Sequence, residues 1–289
     1  MRALVVGAAG QVGRELQHTC PAGVDLLALD LPDIDICDGE SIGRVIKEFG
    51  PTVVFNAAAY TQVDKAESES DLAFKVNAAG AGTLANATHA AGVRLVHIST
   101  DFVFDGSRPL PWQPGDLAEP LNAYGRSKLA GEVAVAAEAG DMAVTVRTAW
   151  VYSSSGSNFV KTMLRLMATR DEIGVVTDQV GSPTWARGLA EALWGFAQRP
   201  EVSGLFHWTD AGVASWYDFA VAIQEEGLAR GLLDREIPIR AIMSAEYPTA
   251  AQRPAYSVLD LRSSIAVLDR RPQHWRKSLR MMLDDIART

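Results

Sequence analysis

Met1-Arg-Ala-Leu-Val-Val-Gly7-Ala-Ala-Gly10-Gln-Val-Gly13 opens the chain and decides its fold. Ala3 to Val6 is a short apolar run that ends in glycines, and Gln11 to Thr19 follows with a polar helical pattern. A secretory leader has no such glycine punctuation, so the opening reads as a buried strand running into a helix. Further apolar runs come at Leu26–Leu29, Thr52–Asn56, Val93–Ser99 and Ala143–Thr148. Helical patterns separate them at Ser41–Phe49, Leu72–Ala91 and Ser127–Ala139. Strands separated by helices imply parallel pairing, because a parallel partner needs a crossover. Nearly unbroken apolar strands fit a sheet covered on both faces. The expectation is an α/β fold, a doubly wound parallel sheet of Rossmann type.

Beyond residue 150 the rhythm becomes irregular. Helices are expected at Asn158–Thr169, Arg187–Gln198 and Trp216–Arg230, and Leu279, Met282, Leu283 and Ile286 recur at helical spacing. Residues 1–150 are expected to form the dinucleotide-binding domain, completed by part of 185–215. Residues 151–289 are expected to supply mainly a smaller, discontinuous α/β substrate lobe over the carboxyl edge of the sheet. Asp105 to Pro120 carries four prolines and reads as a loop.

Composition narrows the function. Of 289 residues, 48% are hydrophobic and 21% charged, the profile of an ordinary globular chain. No apolar run reaches the length of a membrane span. The formal charge of −8 argues against nucleic acid or an anionic membrane as the main partner. Cys20 and Cys37 form no metal-type spacing and no disulfide framework, and five scattered histidines make no zinc site. A reducing cytoplasm fits these counts.

The glycine loop has the spacing GxxGxxG rather than the commoner GxGxxG. Glycines there permit a tight turn, let backbone N–H groups approach a pyrophosphate, and set it on a helix N-terminus. A plain packing turn has the same look, and the strand-to-helix position is what favours a dinucleotide. Asp30 ends the second strand about 20 residues beyond the loop, where an acid accepts from the adenosine ribose. It would repel a 2′-phosphate, which favours NADH over NADPH; Arg14 could offset that repulsion. A solvent-facing turn aspartate is the plainer reading of Asp30.

Tyr124-Gly-Arg-Ser-Lys128 puts a phenol and an ammonium four residues apart, on one face of a helix. Reduction of a carbonyl needs a hydride on carbon and a proton on oxygen. A lysine cation beside the phenol is expected to lower its pKa from about 10. A Tyr-x-x-x-Lys also arises as a solvated helix face over a packed aromatic. Ser99-Thr100-Asp101 tips the balance, because hydroxyls at a strand's carboxyl end sit where open α/β sheets hold ligands. Thr100 can donate to a substrate oxygen, while Asp101 either meets the substrate or caps a turn. Asn56-Ala-Ala-Ala-Tyr-Thr61 follows another strand, and its small residues suit either a close-lying cofactor or tight helix–sheet packing.

The stretches GAAGQVGREL, NAAAYTQVDKAESE, STDFVFDG, PLNAYGRSKLAGE, RTAWVY, NFVKTMLRL, DQVGSPT and YPTAAQRPAYS carry a resemblance. The chain resembles the dTDP-4-dehydrorhamnose reductases, a family of extended short-chain dehydrogenases/reductases, along almost its whole length. The resemblance implies reduction of dTDP-4-keto-L-rhamnose to dTDP-L-rhamnose with NADH or NADPH. It implies Tyr124 as proton donor, Lys128 as its partner and Thr100 in the serine/threonine role, with Asp101 touching the sugar. Gly7, Gly10, Gln11, Val12 and Gly13 would line the pyrophosphate and Asp30 the ribose. Asp35 and Ile36 would flank the adenine, and Ala59, Tyr60 and Thr61 the nicotinamide half. Trp150 would pack against the nucleotide-sugar, and Arg253 suits its diphosphate through bidentate guanidinium bonds.

Phe102 departs from the tyrosine common in relatives. Some relatives dimerise through a metal held by glutamates. Glu15 matches one of them, but Arg187 puts a cation where another acid is needed, so no metal is expected. The remaining partner expectation is a monomer or homodimer. Two rivals stay in view: a nucleotide-sugar epimerase that keeps NAD bound, and a non-catalytic dinucleotide-binding regulatory subunit.

Overall fold

The protein is described by a computed structural model covering residues 1–288. The first half runs β1 (Arg2–Val6), α1 (Gln11–His18), β2 (Asp25–Leu29), α2 (Gly39–Phe49), β3 (Val53–Asn56), α3 (Ser70–Phe74), α4 (Ala81–Ala90), β4 (Arg94–Thr100), α5 (Ala123–Ala139) and β5 (Ala143–Thr148). The second half adds β6 (Val151–Tyr152), α6 (Phe159–Thr169), β7 (Ile173–Val176), β8 (Val180–Gly181), β9 (Thr184–Trp185), α7 (Ala186–Ala197) and β10 (Gly204–His207). The chain closes with β11 (Ala214–Ser215), α8 (Trp216–Leu228), β12 (Ile239–Ile242), α9 (Arg262–Leu268) and α10 (Trp275–Ala287).

The main sheet is all parallel, in the order β10-β5-β4-β3-β1-β2. Because β1 lies between β3 and β2, the chain winds outward in both directions from the sheet's middle. Ligands collect where such a sheet reverses, outside the carboxyl ends of its strands. In β1, Ala3, Leu4, Val5 and Val6 are all essentially inaccessible, as a strand covered on both faces requires. One face packs Ala3, Val5, Phe55, Val96 and Val146 under α7, with Leu193, Trp194 and Phe196. The other packs Leu4, Val54 and Leu95 under α2, α4 and α5, with Ile42, Leu84 and Val135. A separate core gathers Tyr152, Met163, Trp185, Phe219, Ile223, Trp275, Leu279 and Met282 from the second half.

Two helices differ from their expected form. The single helix expected over Leu72–Ala91 begins at Ser70 and is interrupted by a π-helical turn at Lys75–Gly80. The wider turn lets Asn77 swing into the interior, where it ties three segments together as described below. The helix expected from Ser127 begins four residues earlier, at Ala123. Asn122 caps it by accepting from the Gly125 N–H at 2.8 Å, a local bond that periodicity alone does not reveal. As a result Tyr124 and Lys128 both lie on α5.

Candidate active site

The loop between β1 and α1 is built by close approach. Gly7 adopts φ +83°, and a Cβ there would fall 2.6 Å from the Ala57 carbonyl carbon. A Cβ on Gly13 would lie 2.8 Å from Ala8 Cα, so only glycine lets α1 rest on the loop. Gly10 differs: it is exposed and meets only the Gly7 carbonyl at 3.3 Å, which leaves its outer side open. α1 starts there without any side-chain cap. Gln11 and Val12 form its first, half-buried turn, and the Gln11 Oε1 accepts from Asn158 Nδ2 at 2.9 Å.

Asp30 stands beside this loop. One carboxylate oxygen accepts the Ala9 N–H at 2.8 Å and the other the Leu31 N–H at 2.9 Å. It therefore braces the turn as well as placing charge next to it. Arg14 donates from Nε to the Ala9 carbonyl at 2.9 Å. Asp35 accepts the Cys37 N–H, and Ile36 is buried against β1 and α2. Ala59, Tyr60 and Thr61 lie past the end of β3, half-buried or exposed. Asn77 holds this segment by accepting the Tyr60 N–H at 2.8 Å and donating to the Tyr60 carbonyl at 3.0 Å. The same amide donates to Ser127 Oγ at 2.9 Å, so the segment after β3 is tied to α5. The Tyr60 hydroxyl donates outward to Glu69 at 2.6 Å, a bond that holds its pKa up at about 12.

Thr100 and Asp101 sit at the carboxyl end of β4, both buried. Thr100 Oγ1 donates to Asp101 Oδ1 at 3.1 Å and accepts the Phe102 N–H at 3.2 Å. Gly125 has no side chain to keep α5 from the Phe102 carbonyl, and Phe102 meets the Tyr124 ring edge-on at 5.7 Å. Burial pushes the Asp101 carboxyl up to about 6, against bonds from Ser257 and Thr100 that hold it down. Lys128 is buried, and its Nζ donates to the Ile98 carbonyl at 2.7 Å.

One electrostatic expectation is reversed. The sequence predicts that Lys128 lowers the Tyr124 pKa. Burial instead pushes the phenol up to about 12; the nearby Thr100 hydroxyl lowers it, and the charge of Asp101 raises it further. The physical reason is that a phenolate here loses its water while the ammonium spends a bond on a backbone carbonyl. Tyr124 is therefore held protonated at neutral pH, the state a proton donor needs. Lys128 is itself brought down to about 8 by burial, with Glu132 pulling it back up.

Trp150 follows β5 at φ +48°, stacked on Trp216 with ring centroids 3.5 Å apart. With one face so covered, its indole also abuts Gly181, where a Cβ would fall 2.6 Å from Cε2. Arg253 is already paired: its two amino groups reach the two oxygens of Asp64 at 3.1 and 2.7 Å. The neighbouring Gln252 carbonyl accepts from Asn122 Nδ2, which brings this segment to the start of α5. Glu15 is held by Arg187 at 2.9 Å, and Arg187 also reaches Asp285 at 2.8 Å. Among the described residues there is no cluster of three or more histidine, cysteine or acidic side chains fit for a metal.

The sequence reading missed Asn77, Glu132 and Arg147, and it placed Ser99 with the strand-end hydroxyls, whereas Ser99 donates to Glu132. Glu132 had a signal, since it lies four residues beyond Lys128 on the same helical face. Arg147 and Asn77 had none, because their roles depend on which strands and helices become neighbours.

A doubly wound parallel sheet, a glycine loop after its first strand and a Tyr-x-x-x-Lys helix beside a strand-end threonine define an extended short-chain dehydrogenase/reductase. A family model described as "RmlD substrate binding domain" matches residues 1–288. A dTDP-4-dehydrorhamnose reductase of Aggregatibacter actinomycetemcomitans is 39% identical over 286 residues, covering 96% of this chain and 97% of the relative. Another from Burkholderia thailandensis is 43% identical over 272 residues, 90% of each. The crystal structure of a dTDP-4-dehydrorhamnose reductase from Bacillus anthracis, in complex with NADP, aligns with a TM-score of 0.92 at 34% identity, over 98% of this chain and 99% of that one. The chain belongs to the dTDP-4-dehydrorhamnose reductase family.

Proposed function

We propose that this protein reduces dTDP-4-dehydro-6-deoxy-L-mannose to dTDP-L-rhamnose with a nicotinamide dinucleotide. The carrying observation is that Thr100 and Asp101, at the end of β4, and Tyr124 and Lys128, one turn apart on α5, are buried together at the carboxyl edge of the sheet, with the phenol held protonated. The residues present fit the dinucleotide: Gly10 leaves its outer side open, α1 begins uncapped, and Asp30 stands beside the loop. A reduced nicotinamide, when bound, supplies the hydride for C4 of the sugar.

The chain's own residues supply the rest. Thr100 donates to the C4 oxygen and stabilises the charge that develops on it. Tyr124 passes its proton to that oxygen. Lys128 keeps a positive charge under the phenol and is placed to bond the ribose. Asp101 fixes Thr100 and contacts the sugar, Trp150 lines the nucleotide-sugar, and Arg253 takes the diphosphate, sharing its fork with Asp64. Gly7, Gly10, Gln11, Val12 and Gly13 carry the pyrophosphate, Asp35 and Ile36 the adenine, and Ala59, Tyr60 and Thr61 the nicotinamide half.

Asp30 favours NADH over NADPH, with Arg14 softening the preference. The division of labour is a dinucleotide domain of residues 1–150, completed by α7 and β10, and a discontinuous substrate lobe from the rest. No helix among the described residues is long and apolar enough to cross a membrane. The cytoplasm is the compartment we propose, since it supplies the cofactor and suits two free cysteines.

The test follows NADH absorbance with the keto sugar as substrate and repeats it with NADPH. Loss of absorbance with stoichiometric dTDP-L-rhamnose supports the reading, and a larger kcat/KM with NADH supports the role of Asp30. Purified protein that carries NAD and interconverts nucleotide-sugars without consuming NADH overturns it.

A further inference from the structure

Behind Lys128 lies a buried polar network that the proposed reaction does not use. Glu132 is one turn beyond Lys128 on α5, and both side chains are almost inaccessible. Arg147 of β5 forks onto the Glu132 carboxylate, Nε to Oε1 at 2.8 Å and Nη2 to Oε2 at 2.6 Å. Ser99 of β4 donates from Oγ to the same Oε1 at 2.5 Å. The guanidinium is satisfied on its other side by the Pro114 carbonyl at 3.3 Å and by the ring of Phe104, 4.9 Å from its carbon.

We propose that Glu132 is a positioning residue: it holds Lys128 in its charged form and locks α5 to the ends of β4 and β5. Three observations carry this. Ser99 directly precedes Thr100, so its bond to Glu132 fixes the strand end that bears the hydroxyl against the helix that bears the phenol. Glu132 lies one helical turn beyond Lys128 with both side chains buried, so its charge acts on the ammonium through a low dielectric without a direct ion pair. The arginine fork gives the Glu132 carboxylate two charge-assisted bonds and fixes its position beside β5.

The other ionisable groups at this corner are Tyr124 on α5, His97 on β4 and Asp101 after it. His97 is buried and kept neutral, its pKa lowered by burial and by the charge of Lys128. Tyr124 stays protonated. Of the charged groups, Glu132 is the one that raises Lys128. The role of Lys128 in catalysis rests on the proposed function, but its charge state does not.

The test reads that charge directly. Protein labelled at the lysine ε-carbons is titrated by NMR, with the Lys128 resonance assigned by its loss in Lys128→Met. Glu132→Gln should lower the Lys128 midpoint by about one pH unit or more, and Glu132→Asp should restore most of it. With keto sugar and NADH, the alkaline limb of kcat should move down by the same amount. A Lys128 midpoint unchanged in Glu132→Gln overturns the proposal. If Glu132→Gln does not fold, the double variant Glu132→Leu/Arg147→Met removes both charges together, the replacement that buried pairs tolerate best. Because opposite charges leave together there, the readout is catalysis: a kcat equal to that of wild type in that variant overturns the locking role of Glu132. A wild-type protein that leaves the keto sugar untouched overturns the functional reading alone, because the titration still decides the role of Glu132.

Discussion

The two ends of the candidate site are made of different material. At the end proposed for the nucleotide, the work falls to backbone: Gly7, Gly10 and Gly13 shape a turn whose outer side is open, and Asp30 braces it through main-chain N–H groups. At the end proposed for the substrate carbonyl, the work falls to side chains on separate elements: Thr100 from β4, Tyr124, Lys128 and Glu132 from α5, and Arg147 from β5. A backbone cradle tolerates most side-chain changes outside its glycines. A side-chain network is sensitive to single atoms, because each buried group relies on a particular partner.

Substitutions can break this contrast. Tyr124→Phe removes only the hydroxyl, and steady-state assay should show kcat down roughly 10²- to 10⁴-fold, the worth of a positioned proton donor. Dinucleotide affinity, measured by cofactor fluorescence, should stay close to wild type; a parallel loss would mean that the two ends are not separable. Gly13→Val should do the reverse. Its side chain collides with Ala8, so denaturant unfolding should show a loss of about 1–3 kcal/mol, accompanied by weakened dinucleotide binding. Intact binding in that variant would move the cradle elsewhere.

A third prediction sharpens the comparison from outside the site. Asp210 is buried, accepts the Trp185 N–H at 3.0 Å, and has its pKa pushed up to about 7 by burial, against that bond and one from Ser278. A folded pKa above the unfolded one means that the native state holds the proton more tightly. Its contribution is full below about pH 4 and is lost as pH rises through about 7. Asp210→Asn should therefore gain stability relative to wild type between pH 4 and pH 8, by a few kcal/mol in denaturant midpoints converted to free energy. No change in the difference across that range would show that the carboxyl is ionised in the fold at no cost.

The smallest effect is expected at the surface. Arg235 and Asp171 pair at 2.7 Å with both side chains more than half exposed, so Arg235→Ala should cost under about 1 kcal/mol by thermal unfolding. A larger cost would mean that exposed pairs here rival the buried Glu132–Arg147 fork.

How much of this was legible follows the same division. Local pattern was enough for the strand–glycine–helix opening, because one backbone conformation is written in contiguous residues. It was enough for Tyr124 and Lys128 on one face, because helical spacing puts them there. It was not enough for the start of α5, set by the Asn122 cap, nor for the π-turn that sends Asn77 to Tyr60 and Ser127. It gave the wrong sign for Tyr124, since spacing reports a neighbouring charge but not the water that burial removes.

By itself, then, the sequence determined a doubly wound sheet with a dinucleotide turn at its first strand, because the required periods and glycines are local. Tertiary structure alone decided that Arg147 meets Glu132, that Ser99 locks β4 to α5, and that Tyr124 keeps its proton. Those outcomes depend on which strands become neighbours and how thoroughly water is excluded between them, and neither is a property of any short stretch of chain.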